Sequence, residues 1–217
     1  MTRTVAILTG DLIRSTEASP EAVDSAMGVI RDCAARIGPR TDFTRFRGDG
    51  WQLRLENPGD HLWACLLILA RLRAQEGIPG CRIAVGIGAE NPTDTRDLST
   101  ALGPAFTASG RALDQMKPDR LLALDGAGID AFRRLAYQVA GELVGRWTTG
   151  QAEALALKLD PDSPADERLS NEAIARKLGI TRQAVDARLK AADYPILDDM
   201  MQAFIDDSLP RGRTKDD

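Results

Sequence analysis

Apolar positions recur along this chain with two periods, and the changes from one to the other lay out its elements. Val5-Ala6-Ile7-Leu8 is a short apolar run that predicts a strand ending at Gly10-Asp11. Ser19-Pro20-Glu21 supplies an N-cap, a proline at the first helical position and an early acid. Val23, Met27, Ile30, Ala34 and Ile37 follow at helical spacing until Gly38-Pro39 stops the run. Trp51, Leu53 and Leu55 alternate with Gln52, Arg54 and Glu56, so 42–46 and 51–55 predict a hairpin around Gly48-Asp49-Gly50. A helix over 60–75, a strand over 81–88, a helix over 103–116 and a strand over 121–124 complete the order βαββαβαβ. That order predicts an α+β fold, a ferredoxin-like layer of helices on an antiparallel sheet.

Beyond Gly126-Ala127-Gly128 the periodicity is helical throughout: 129–144, 151–159, 171–178 and 182–191, with a proline-bearing acidic loop at 160–167. The expected division is an α+β domain over 1–126, a connecting helix over 127–146, a small all-α domain over 147–209 and a frayed tail over 210–217.

At 217 residues, 43% hydrophobic and 28% charged, the chain can bury a substantial core. No apolar run approaches about 18 residues, and Met-Thr-Arg-Thr leads straight into the first strand, so a cytoplasmic chain with no membrane partner is expected. Cys33, Cys65 and Cys81 are odd in number and lack a Cys-x-x-Cys pair, which argues against structural zinc and a disulfide framework; they read as small core residues. His61, the single histidine, sits beside Leu62 and Trp63 where a helix begins, and reads as a capping or surface residue rather than a catalytic base.

The net charge of −4 hides an asymmetry. Residues 1–140 carry 17 basic and 17 acidic side chains, and residues 141–217 carry 11 and 15. Within 168–190, however, Arg168, Arg176, Lys177, Arg182, Arg188 and Lys190 face only Glu172 and Asp186, a basic island in an acidic surround. The same stretch has a helix-turn-helix pattern: Ala175 is small enough for close helix approach, Gly179 makes the turn, Thr181 caps the second helix, and Val185 and Leu189 point inward. Arg176, Lys177, Arg182, Gln183, Asp186 and Lys190 are left outward, the chemistry that meets bases and phosphates of DNA. A helical hairpin used only for packing or dimerisation has the same pattern.

Two further runs, Thr9-Gly10-Asp11-Leu12-Ile13-Arg14-Ser15 and Arg45-Phe46-Arg47-Gly48-Asp49-Gly50-Trp51, each put one aspartate in a glycine-punctuated turn. Either run alone is ordinary turn chemistry. Together, two carboxylates from neighbouring strands are what a divalent cation such as Mg²⁺ bound with nucleotide phosphates needs.

These runs, with Arg82-Ile83-Ala84-Val85-Gly86-Ile87-Gly88 and Gly103-Pro104-Ala105-Phe106-Thr107-Ala108-Ser109-Gly110-Arg111, resemble the class III nucleotidyl cyclase fold. Taken with Trp147-Thr148-Thr149-Gly150-Gln151 and the helix-turn-helix pattern, nearly all of residues 4–205 is similar to the SatD family, bacterial proteins joining such a domain to a DNA-binding tail. The resemblance implies that Asp11 and Asp49 ligate Mg²⁺ with a backbone carbonyl at Leu12 or Ile13, and that Arg111 stabilises charge on the α-phosphate. It also implies a homodimer. The sequence departs from cyclases at Thr107, where they have an asparagine, and at Arg45 and Thr100, which stand at the purine-reading positions.

The leading expectation is a DNA-binding transcriptional regulator whose cyclase-like domain senses a nucleotide with Mg²⁺. The alternatives are an active nucleotidyl cyclase making a cyclic monophosphate from a nucleoside triphosphate, and a non-catalytic interaction protein.

Overall fold

The computed structural model describes residues 3–46, 48–91, 96–160 and 169–208. Arg47, Arg168, most of the acidic 160–167 loop and the 210–217 tail lie outside the described residues. The elements run β1 (Thr4–Leu12), α1 (Pro20–Ile37), β2 (Asp42–Phe46), β3 (Gly50–Leu55), α2 (His61–Arg73), β4 (Cys81–Ala89), α3 (Pro104–Asp114), β5 (Leu122–Gly126), α4 (Ala131–Gly145), α5 (Thr149–Lys158), α6 (Asn171–Leu178), α7 (Arg182–Ala191) and α8 (Tyr194–Ser208).

The strands form one sheet in the order β2-β3-β1-β4-β5. Its first four strands follow the ferredoxin-like arrangement that the βαββαβ order predicts. The antiparallel expectation fails at one edge, because β5 pairs parallel with β4 from Ile83↔Leu122 to Ile87↔Gly126. The helix α3 carries the chain back across the sheet, so β5 starts at the same end as β4.

Gly10 and Asp11 are not in a turn. They lie inside β1, paired with Trp51 and Gly50 on one side and with Ile83 and Arg82 on the other. The glycine is needed for packing: a Cβ at position 10 would stand 2.5 Å from Trp51 Cε2 and 2.7 Å from the Arg82 carbonyl oxygen. Trp51, fully buried, lies across β1 where any larger residue would displace it.

The two faces of the sheet differ. Ala6, Leu8 and Leu12 of β1 join the main core with α1 and α2, whereas Val5 and Ile7 pack against Leu98, Ala105 and Phe106 under α3. Helix α2 is apolar on every side (Leu62, Ala64, Cys65, Leu66, Leu67, Ile68 and Leu69 are all buried) because the sheet covers one side and α5 and α8 cover another. Each buried leucine contributes about 1.5–3 kcal/mol, so α2 is the main joint between the sheet and the C-terminal helices. The same hydrophobic cluster continues through Trp147, Leu155, Ile174, Val185, Leu189 and Phe204. Polar ties reinforce it: Trp63 Nε1 donates to the Leu159 carbonyl at 3.0 Å, and Arg73 Nε to the Trp147 carbonyl at 2.8 Å. Among the described residues, no helix is long and apolar enough to cross a membrane. The three cysteines are buried core residues, and desolvation pushes the Cys33 thiol up to about 12.

His61 departs from its sequence reading. The N-cap position belongs to Asp60, and the imidazole turns inward, 4% exposed, sharing a hydrogen bond with the Tyr137 hydroxyl and an edge contact with Phe204. The returning α8 covers a position that the local sequence places at a helix surface. Burial lowers the His61 pKa to about 3. Its folded value lies below its unfolded one, so the unfolded chain binds the extra proton as the pH falls from about 6.5 to about 3. Over that window this residue withdraws stability, at up to about 1.4 kcal/mol per pH unit. The chain has one histidine. Its imidazole resonances should therefore hold their neutral positions in NMR spectra between pH 8 and 5; a midpoint near 6.5 in the folded protein would contradict this packing.

Candidate functional site

The register brings Asp11 and Asp49 to one corner of the sheet. Asp11 is paired with Gly50, the residue after Asp49, and the Leu12 amide donates to the Asp49 carbonyl oxygen at 3.2 Å. The side chains of Thr9 and Asp11 share the α3 face, where Thr9 Oγ1 bonds Ser109 Oγ at 2.8 Å and accepts from Gln52 Nε2 at 3.2 Å. Immediately after β1 the chain bends through Arg14 in the left-handed region (φ 54°, ψ 37°), a conformation costly for a residue with a Cβ. The bend points Ser15 back, and its hydroxyl donates to Asp49 Oδ2. The Ile13 amide donates to the Gly80 carbonyl at 2.8 Å, so the backbone at Leu12 and Ile13 is fixed against both neighbouring turns.

Asp11 has a partner that sequence reasoning did not single out. Arg82, opposite it on β4, grips both carboxylate oxygens, Nε to Oδ1 at 2.9 Å and Nη2 to Oδ2. That bond raises the Arg82 pKa against the opposing effect of burial. Both groups are about a quarter exposed, at 24% and 29%, so the pair remains within reach of solvent and solutes. Two hard carboxylates and a hydroxyl suit Mg²⁺ in kind. Among the described residues no cluster of three or more His, Cys, Asp or Glu side chains forms a metal cage, and a cation at Asp11 would compete with Arg82 for the carboxylate.

Other residues implied by the resemblance lie apart. Arg45 is on the opposite, α1 face, where Nη1 donates to Asp24 at 2.7 Å and Nε to the Gly48 carbonyl at 2.7 Å. Thr100 is exposed at the end of a short 3₁₀ turn that is pinned over β2 by the Leu98 amide donating to Thr44 Oγ1 at 2.8 Å. Thr107 is exposed on α3, its hydroxyl bonded back to the Gly103 carbonyl at 3.2 Å. Arg111, one turn on, is held by Asp125 of β5, Nε to Oδ2 at 3.2 Å. Asp125 is level with Gly86 and hence with Ile7, two strands across and four residues along from Asp11. At about 3.3 Å per residue and 4.8 Å per strand, roughly 16 Å of backbone separates them, beyond the span of an arginine held at Asp125. Burial pushes Asp125 up, but hydrogen bonds from Arg134, Arg111 and the Gly126 amide outweigh it and leave its pKa at about 2.

In the C-terminal helices, Gly179 takes the left-handed conformation (φ 65°) and Thr181 Oγ1 accepts from the Ala184 amide at 3.1 Å, separating α6 from α7. Arg176, Lys177, Arg182, Gln183, Asp186 and Lys190 are all exposed. The basic island is smaller than its sequence count, because Arg188 turns against α5 and donates to Glu153 and to the Gly150 carbonyl, both at 3.0 Å. Asp186 accepts from Asn171 Nδ2 at 2.6 Å.

No protein-family model matches the chain, and no curated protein sequence matches it. Among solved structures, the chain is similar to a bacterial light-regulated adenylyl cyclase (20% identity, 57% of this chain and 43% of that one, TM-score 0.41). It is also similar to the guanylyl cyclase Cya2 (18% identity, 57% and 77%, TM-score 0.38). A third is the GGEEF domain of a diguanylate cyclase from Vibrio cholerae (11% identity, 59% and 85%, TM-score 0.37). The chain spans less than half the length of the light-regulated cyclase.

Proposed function

We infer that this chain is a nucleotidyl cyclase-type protein that binds a nucleoside triphosphate with Mg²⁺ at the corner formed by Asp11 and Asp49. The observation that carries the reading is the register that brings Asp11 and Asp49, from separate runs, to one corner of the sheet, next to a strained Arg14 and an arginine already paired to Asp11. The sequence resemblance to class III cyclases and to the SatD family points the same way. Asp11 and Asp49 would hold Mg²⁺, whose bound charge neutralises phosphate oxygens. Arg82 is the residue that changes partner, leaving Asp11 for a phosphate oxygen, to which its planar fork is equally suited. Arg111 is out of reach of this corner within one chain, so turnover to a cyclic monophosphate requires Arg111 from a second copy, in the homodimer that the resemblance implies.

The test is a thermal-shift panel of nucleoside triphosphates with Mg²⁺ or with chelator. At least one triphosphate should stabilise the chain only with Mg²⁺, by about 2.7 kcal/mol at 100 times its dissociation constant. Silence across the panel overturns the reading. The surface of α6 and α7 favours a second one, duplex DNA, through its exposed Arg176, Lys177, Arg182, Gln183 and Lys190. Its readout is salt-sensitive retention of duplex DNA.

A further inference from the structure

A separate opening lies away from the Asp11–Asp49 corner. It is a cleft of 530 Å³ between α3, the edge strand β5 and α4, a size suited to a small ligand. Arg111, Lys117, Arg120 and Arg134 line it, and Asp125 is the one acid among the lining residues. Asp125 serves two of these cations at once, Arg111 and Arg134, the latter with Nη2 at 2.8 Å from Oδ1. One carboxylate neutralises one of the two guanidiniums, and each keeps N–H groups that Asp125 does not use. Arg120 pairs with Glu142 at 2.7 Å, outside the lining, and Lys117 has no carboxylate partner among the described residues. The cleft therefore has a cationic rim in excess, while Met116 and the Ala123 stretch of β5 give it an apolar floor.

We propose that this cleft is a binding site for a small phosphorylated molecule, its phosphate held by the forked guanidiniums of Arg111 and Arg134 with Lys117 at the mouth, and its body laid on the β5 floor. Phosphate fits better than carboxylate, since its three or more oxygens can meet two planar forks and an ammonium together. Asp125 positions the two arginines so that little side-chain freedom is lost on binding. The site needs no metal, which separates it from the Asp11–Asp49 corner.

The test is isothermal titration of the full chain with inorganic pyrophosphate and with ADP, in excess chelator, so that any Mg²⁺-dependent site is silent. Parent protein should bind at least one of the two, more weakly as salt rises. Arg134→Gln should weaken that binding at least tenfold and Lys117→Gln several-fold, with Arg40→Gln, at an exposed ion pair with Glu56 outside the cleft lining, matching the parent. The Lys117 side chain is exposed and has no ion pair or hydrogen bond among the described residues, so its variant reports even if Arg134→Gln unfolds. No metal-free binding by the parent, or binding that survives both cleft substitutions, overturns the site. So does binding lost in Arg82→Gln, whose guanidinium is the phosphate partner at the other corner.

Discussion

Gly86→Ala should cost this structure about 4 kcal/mol of stability. Gly86 faces α3 from the middle of β4, and an added Cβ would stand 2.5 Å from the Ser109 amide nitrogen and against the Ala105 carbonyl oxygen. Both neighbours are backbone, so relief requires lifting the whole helix. Lifting it breaks the Thr9–Ser109 hydrogen bond at 2.8 Å and uncovers Val5, Ile7, Ala105 and Phe106, a separate small core with little else to cover it. Overpacking of this kind costs about 1–3 kcal/mol when side chains can yield, and more when backbone must. Here about 4 kcal/mol is expected, roughly a quarter to four-fifths of the 5–15 kcal/mol margin of a typical domain. Gly28→Ala is the control: it lies within α1, with nothing nearer to the added methyl than Arg31 Nη2 at 4.0 Å, and should gain about 0.5–1 kcal/mol. Urea unfolding measures both, and a Gly86→Ala protein within 1 kcal/mol of the parent would refute this account of α3 packing.

Asp49→Asn should weaken Mg²⁺-dependent nucleotide binding by about 10²-fold while the fold persists. An amide keeps the size of the side chain and can still bond Ser15, but it gives up the charge a cation needs. Asp11→Asn should lose a similar factor, with one difference. It also releases Arg82, which stays available for a phosphate, so part of the nucleotide affinity survives without metal. Arg82→Gln acts the other way: it frees both Asp11 oxygens, so binding of the metal alone tightens as nucleotide binding loses a phosphate partner. Calorimetric titrations of Mg²⁺ and of nucleotide on the three variants separate these effects. Parent-like nucleotide binding by both aspartate variants would end the shared-site reading.

The element order was legible along the chain because its causes are local. Ser19-Pro20 starts α1 and Ser170 and Thr181 cap α6 and α7, each side chain bonding an amide three residues on. Alternation at Trp51, Leu53 and Leu55 set the buried face of β3. The pairing of Asp11 with Asp49 could be guessed from two similar runs on what reads as neighbouring strands. What the sequence could not show were the contacts made by residues far apart in it. Gly10 looks like a turn glycine until Trp51 is laid across it, and His61 looks like a surface residue until α8 returns over it. Arg82 becomes the partner of Asp11 only through the β1–β4 register, 71 positions apart, and Arg111, Arg120 and Arg134 border one cleft only because α3 and α4 flank the same edge strand. Periodicity and capping depend on neighbours within a turn, whereas the partner of a charge depends on which strands and helices meet, and tertiary packing alone decides that.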